Sequence, residues 1–524
     1  MGQYLNPGNE LFRTIRNGDY VDKSGMISII NQSIDSPRRM ICISRPRRFG
    51  KSFAAQMLSA YYDKTCDSTK LFEDLAISKD ASFREHMNKY DIIYFDMASV
   101  MWDAGEPGKI SEYIERQVTK ELIEAYPQIE KNESFSGTLL SAVQVTGNKI
   151  IMIVDEWDVI FRETKGNADA QNDYVKFLRG LFKNSGTSGK IFAAVYLTGI
   201  LPIKKYGTQS AMSDFTEYSM LMPWKFAEYI GFTEEEVKDL CSRNGLSFEE
   251  MREWYDGYSF REIKSIYNPS SVMMAVQMGT LSSYWSRTES FESLKDYLDM
   301  DFDGLQQSII KMIAGESCSV DTGSFGNDMS IINNRDDVLT LLIHLGYLVY
   351  DDEHQTVRIP NKEVLQEFER SVRNGKHTET MKLVMGAEQL LQDTINMDGE
   401  AVAEYLERMH NLETNPLYYN NEEALRSTIR SAYRTWVDHY IKIEELPSGK
   451  GFADIVFIPK KAESIPMLVI ELKWNKLADT AIKQIKDKKY PEALINFGGD
   501  ILLVGISYDS ETKKHTCRIE RLAK

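Results

Sequence analysis

The chain has 524 residues, 42% hydrophobic and 27% charged, which sets a prior of about three or four domains of ordinary globular composition. Its formal net charge of −16 argues against a general nucleic-acid binder, and no run approaches the roughly 20 apolar residues that span a bilayer. The five scattered cysteines contain no CxxC pair, so neither a disulfide framework nor a zinc site is suggested, and the N-terminus lacks a signal-peptide core. A cytoplasmic protein with no membrane partner is expected.

In chain order, four short apolar runs read as buried strands: Met40–Ser44, Ile92–Met97, Ile150–Asp155 and Ile191–Thr198. Helical stretches such as Phe53–Tyr62 and Ser111–Tyr126 lie between them. This alternation predicts an α/β domain with a largely parallel sheet over residues 1–220. Residues 221–300 read as a helical lid with aromatic clusters, WYDGYSF at 254–260 and YNPSS at 267–271. Over 301–375, an apolar helix precedes two strands around the acidic turn DDEHQ, which predicts a winged-helix-like region; His344 reads as a core histidine. Residues 376–420 form a helical connector ending in the polar stretch NLETNPLYYNN.

From 421 the order is helix (Glu422–Tyr440), strand (Ala453–Ile458), strand (Met467–Lys473), helix (Ala478–Tyr490) and strand (Ile501–Ile506). Residues 421–524 carry 18 Lys/Arg and 15 Asp/Glu, net +3, leaving −19 on the first 420. The acidic part suits protein partners or self-association. The basic part suits modest, salt-sensitive nucleic-acid binding.

RRFGKS at 47–52 follows the strand MICIS and opens an apolar helix. In such a turn, loop amides and a helix N-terminus cradle phosphates. Lys51 would reach the β- and γ-phosphates, Ser52 would ligate Mg²⁺, and Gly50 would permit close backbone approach. GxxxxGK[ST] calls for glycine at 45, where this chain has Arg45. IIMIVDE supplies Asp155 for the metal's hydration shell and Glu156 to orient or deprotonate water. Thr198 ends a further strand as a polar group beside the γ-phosphate, or as an ordinary strand exit.

RPRRFGKS, with YVDKSGMI, IVDEWD, TGILPI, WYDGYSF and YNPSSV around it, resembles the bacterial AAA-ATPase-like family, similar to STAND-type and archaeal-type ATPases. That resemblance implies ATP and Mg²⁺ held by Lys51, Ser52, Asp155 and Glu156, with Phe49 part of the same loop. In that family Arg45 in place of glycine is expected. Arg45, Arg47 and Arg48 add charge near the phosphates or form a solvated basic loop. Trp254–Tyr258 read as core packing of the lid.

In GFADIVFIP and MLVIELKW, period-two alternation puts Glu471 and Lys473 on one strand face. A hairpin would set Asp454 beside Glu471. Two carboxylates and a lysine can hold Mg²⁺ and clamp a phosphate; solvated acid–lysine pairs are the bland alternative. The pattern resembles the PD-(D/E)XK nuclease superfamily, and so implies a restriction-endonuclease-like α/β domain. The same resemblance implies Gln484 on the following helix and an upstream helical acid, Glu422 or Glu423, at the site. The expectation is an ATP-binding and ATP-hydrolysing module coupled to a Mg²⁺-dependent nuclease acting on DNA, with RNA left open. The rival is a signalling or scaffold ATPase whose nuclease-like domain binds without cutting.

Overall fold

The computed structural model describes residues 2–164, 166–183, 185–203, 205–206, 209–210, 212, 214–261, 263–285, 290–300, 302, 304–313, 315–326, 332–374, 386–413, 425–426, 429, 432–433, 440–448, 451–460, 465–488 and 500–522. The expected Glu422, with its alternative Glu423, and Tyr490 lie outside them. The chain packs as two compact units, residues 1–290 with 317–367, and residues 291–316 with 368–524. Among the described residues no helix is long and apolar enough to cross a membrane.

The first unit is built on five parallel strands: β1 (Met40–Ser44), β2 (Asp91–Asp96), β3 (Ile150–Asp155), β4 (Phe192–Gly199) and β5 (Thr216–Tyr218), in the order β2-β3-β4-β1-β5. β1, β3 and β4 are buried along their whole length, because crossover helices cover both faces of a parallel sheet. Met40, Cys42, Ile93, Phe95, Met152, Val154 and Leu197 share one core. Helix α1 (Lys51–Tyr62) starts two residues before the expected Phe53.

Met97 belongs to a helix rather than to β2. Asp96 caps that helix, accepting from the Ala98 amide at 3.0 Å, so the acid after the apolar run stops the strand. β5 has only three residues, too few for a periodicity signal. The register sets Ser44 beside Gly199 and Asp96 beside Asp155. The ends of β1, β3 and β4 thus bring RPRRFGKS, DE and TG to the carboxyl edge, where open parallel sheets bind ligands.

Tyr255, Tyr258 and Tyr267 are buried, so this aromatic cluster is core, as expected. Helix Arg335–Leu345 precedes a hairpin of β7 (Val349–Asp351) and β8 (Thr356–Arg358), and β6 (Cys318–Ser319) pairs with β8. The helix-then-hairpin expectation matches this arrangement. His344 is buried and stacks on Phe325.

The second unit contains a five-stranded mixed sheet: β9 (Tyr440–Ser448), β10 (Gly451–Pro459), β11 (Met467–Trp474), β12 (Ile501–Asp509) and β13 (Lys514–Arg521), in sequential order. Helix α2 (Ala478–Asp487) carries the crossover between the parallel pair β11 and β12. Tyr440, expected to end a helix, instead opens β9. The edge strands β9 and β13 are rich in charge, as solvent-facing edges are, so their apolar signal is weak.

On β13, His515 is 5% exposed and its ring lies 5.2 Å from that of His410. Burial, with His410 adding to it, pushes the His515 imidazole down to about 3. The unfolded chain takes up this proton near pH 6.5 and the fold does not, so the contribution is complete above about 6.5 and is lost as pH falls toward 3. His515→Phe is expected to gain stability relative to the parent as pH drops from 6.5 to 4. Urea denaturation across that range checks this; a constant difference would refute it.

Candidate nucleotide and metal sites

The loop after β1 turns through left-handed backbone at Arg48 (φ 67°) and Gly50 (φ 89°), and Glu156 after β3 is left-handed as well (φ 53°). A Cβ on Gly50 would meet nothing within 4 Å, so glycine serves the dihedral and the space above the loop stays open. Left-handed non-glycine residues cost about 1–3 kcal/mol each and cluster at functional sites; here they flank the same edge of the sheet.

Lys51 is 6% exposed. Its Nζ donates to the carbonyls of Arg45 (2.9 Å) and Pro46 (2.7 Å). Burial drives its ammonium down to about 8, against the pull of Asp155, Asp158 and Glu156. Asp155 is buried and accepts from the Ser52 and Thr198 hydroxyls. Burial raises its carboxyl, and those two hydrogen bonds oppose the rise. The Glu156 amide donates to Asp155 Oδ1 at 3.1 Å, fixing the two acids relative to each other.

Lys51, Ser52, Phe49, Gly50 and Glu156 line a cavity of about 1340 Å³, with Arg47 and Arg48 at its wall. Leu11, Ile15, Tyr20, Val21, Phe232 and Met273 give its other side an apolar surface. Arg48 Nη1 donates to Ser270 Oγ at 3.4 Å and Arg47 pairs with Glu163 at 3.8 Å. Phe49 is buried edge-on against Tyr258 at 5.2 Å.

Three expected site residues, Arg45, Asp155 and Thr198, lie behind the cavity rather than at it. Arg45 is fully buried and donates Nη1 to the carbonyls of Ser44 (2.9 Å) and Tyr218 (3.2 Å). Burial pushes its guanidinium down to about 9. It ties β1 to β5, and among the described residues it has no carboxylate partner. Thr198 is likewise fully buried and bonded to Asp155.

Two residues that the sequence reading did not single out stand beside these, Arg162 lining the cavity and Asp158 buried behind it. Asp158 is fully buried and accepts from the Ile200 (3.0 Å) and Leu201 (2.9 Å) amides. Arg162 lies 2.7 Å from Glu156 Oε2. Their i,i+4 spacing after the DE pair was the available signal.

In the second unit, the β10–β11 ladder runs Ile455↔Ile470, Val456↔Val469 and Phe457↔Leu468, so Asp454 and Glu471 meet just beyond its last pair. Asp454 Oδ2 accepts from the Leu472 amide at 2.8 Å. Glu471 Oε1 accepts from Lys473 Nζ at 3.0 Å and from Gln484 Nε2. Four expected residues, Asp454, Glu471, Lys473 and Gln484, are therefore brought together. Burial, then the charge of Asp454, push the Glu471 carboxyl up to about 7. Its Oε2 is buried without a hydrogen-bond partner.

Arg426, also missed from sequence, pairs with Asp454 Oδ1 at 2.6 Å. No group of three or more candidate metal-ligating side chains occurs among the described residues. A divalent ion here would rest on Asp454 and Glu471 alone among them.

A family described as a predicted AAA-ATPase matches residues 8–208, and the PD-(D/E)XK nuclease superfamily matches residues 420–517. No curated protein matches. Among solved structures, the Aeropyrum pernix ORC2 protein, in ADPNP–ADP complexes, is 11% identical with a TM-score of 0.30, over 69% of this chain and 98% of that one. The Aeropyrum pernix ORC1 protein in complex with DNA is 10% identical with a TM-score of 0.22, over 71% and 98%. At those values nothing about this chain follows from either. The chain joins an AAA-ATPase-like domain to a domain of the PD-(D/E)XK nuclease superfamily.

Proposed function

We propose that the chain binds and hydrolyses ATP in the cavity of the first unit, and that its C-terminal domain cleaves DNA with Mg²⁺. The observation that carries this reading is convergence. Lys51, Ser52 and Glu156 open on one cavity, with Asp155 directly behind Ser52. The Ser52 hydroxyl beside a buried carboxylate is a hard-oxygen donor set that fits Mg²⁺. Lys51, already folded over the loop, meets the phosphates; Glu156 accepts a proton from, or orients, the attacking water. The apolar far side accepts the base.

At the second site, the orphaned Glu471 Oε2 and a carboxyl raised beside another acid fit a divalent cation. Bound there, the metal would polarise a phosphate and supply a nucleophilic water. Lys473 offsets phosphate charge and Gln484 orients Glu471.

One observation favours the second reading, a STAND-like signalling ATPase whose nuclease-like domain does not cut. Both Asp454 oxygens are engaged, by Arg426 and by the Leu472 amide, so a metal must displace a guanidinium. Incubation with plasmid and single-stranded DNA in Mg²⁺ or Mn²⁺, with and without ATP, separates the two. Cleavage lost in Asp454→Ala supports a nuclease; no cleavage with ATP still hydrolysed supports the signalling protein. Mn²⁺ titration is expected to show about tenfold tighter binding in Arg426→Ala than in the parent, the scale of one lost charge-assisted bond. Unchanged affinity would mean that Arg426 does not compete with metal.

A further inference from the structure

Arg162 is 6% exposed at its side chain, yet it faces two acids unequally. Its Nη2 meets Glu156 Oε2 at 2.7 Å, in good hydrogen-bonding range. Its Nε stands 3.5 Å from Asp158 Oδ2 and has no hydrogen-bond partner. Asp158 Oδ1, fully buried, has none either. A buried orphan donor and a buried orphan acceptor each cost about 1–3 kcal/mol. Asp158 Oδ1 faces the Gly199 backbone beside the Trp157 indole, so the contact left unmade at Arg162 is the one between Nε and Asp158 Oδ2, 3.5 Å away.

Glu156 is the acid whose lone pairs must be free to orient water, and here Arg162 occupies one of its oxygens. Both residues line the nucleotide cavity, so an incoming polyphosphate competes with Glu156 for the same N–H groups. We infer that Arg162 is a latch on Glu156. It holds the acid in the nucleotide-free cavity and transfers Nη2 to the terminal phosphate of a bound triphosphate. As it does so, Nε closes on Asp158. Release of Glu156 then follows from the phosphate being present, so the cavity is armed only by a triphosphate. This inference rests on the reading of the cavity as an ATP site.

The latch makes Arg162 a discriminator between tri- and diphosphate, which a merely structural arginine is not. Calorimetric titration with a non-hydrolysable ATP analogue and with ADP tests it in the full chain, for wild type, Arg162→Ala and Arg162→Lys. Arg162→Ala is expected to weaken the analogue about 10- to 100-fold while leaving ADP within about twofold, the scale of one charge-assisted contact. Arg162→Lys, with a single donor site, is expected to fall between. Equal loss for both nucleotides, or no loss for either, would overturn the latch. Failure of the wild type to bind either nucleotide would instead overturn the ATP-site reading itself.

Discussion

Lys51→Ala is expected to lose nucleotide binding by about 10²- to 10³-fold and with it all ATP turnover. The ammonium is buried, lies at the mouth of the loop and, among the described residues, bonds to the Arg45 and Pro46 carbonyls. A triphosphate offers it charged acceptors in their place, and each such bond contributes about 1.5–3 kcal/mol. The fold itself is expected to survive. Removing a buried charge already pushed down to about 8 is favourable, and orphaning two carbonyls is unfavourable by a similar amount. Thermal unfolding with ATP separates the effects. At 100 times Kd the wild type gains about 2.7 kcal/mol, while the variant unfolds at the same temperature with or without nucleotide. A variant still stabilised by ATP would place the phosphates elsewhere.

Glu471→Gln is expected to change two properties in opposite directions. DNA cleavage falls by about 100-fold or more, because the metal that this carboxylate would hold supplies several kcal/mol of transition-state stabilisation. Stability of the metal-free protein rises. Burial and Asp454 lift the Glu471 carboxyl from 4.5 to about 7, so the fold binds a proton over that interval and the unfolded chain does not. The contribution of the group is complete below about 4.5 and lost as pH rises through 7. At pH 8 the ionised carboxylate costs the fold on the order of 1–3 kcal/mol, which glutamine removes, raising Tm by several degrees. At pH 5 the difference should shrink, and Mg²⁺ should stabilise only the parent. A variant less stable than the parent at pH 8 would mean that the Lys473 pair outweighs the burial cost.

The parts of the molecule legible in the sequence were those with a single dominant signal. The strands at 40–44 and 150–155 are unbroken apolar runs ending in chemistry, and the D…ExK hairpin follows from period-two alternation. The short strand Thr216–Tyr218 and the charged edges at 440–448 and 514–521 carry no comparable pattern, since charged residues interrupt the apolar signal or the length is a single repeat. Arg45 shows the harder limit. Its neighbours in RPRRFGKS suggested a phosphate contact, and only the three-dimensional packing reveals a guanidinium buried between two strands. Arg162 and Arg426 were missed because an arginine acquires its role from the acid it meets, which local sequence does not name.

The loop also depends on what lies after it in the chain. Arg45 reaches the Tyr218 carbonyl, and Phe49 packs on Tyr258. A Cβ on Gly346 would come within 2.7 Å of Pro46, and the Gly346 carbonyl accepts from the Tyr258 hydroxyl at 2.6 Å. Each of these supports lies beyond residue 208, where the family match ends. A fragment cut to that match would keep the whole phosphate-binding sequence and lose its scaffold. The smallest piece expected to fold with a working loop therefore runs through residue 367, where the first unit ends.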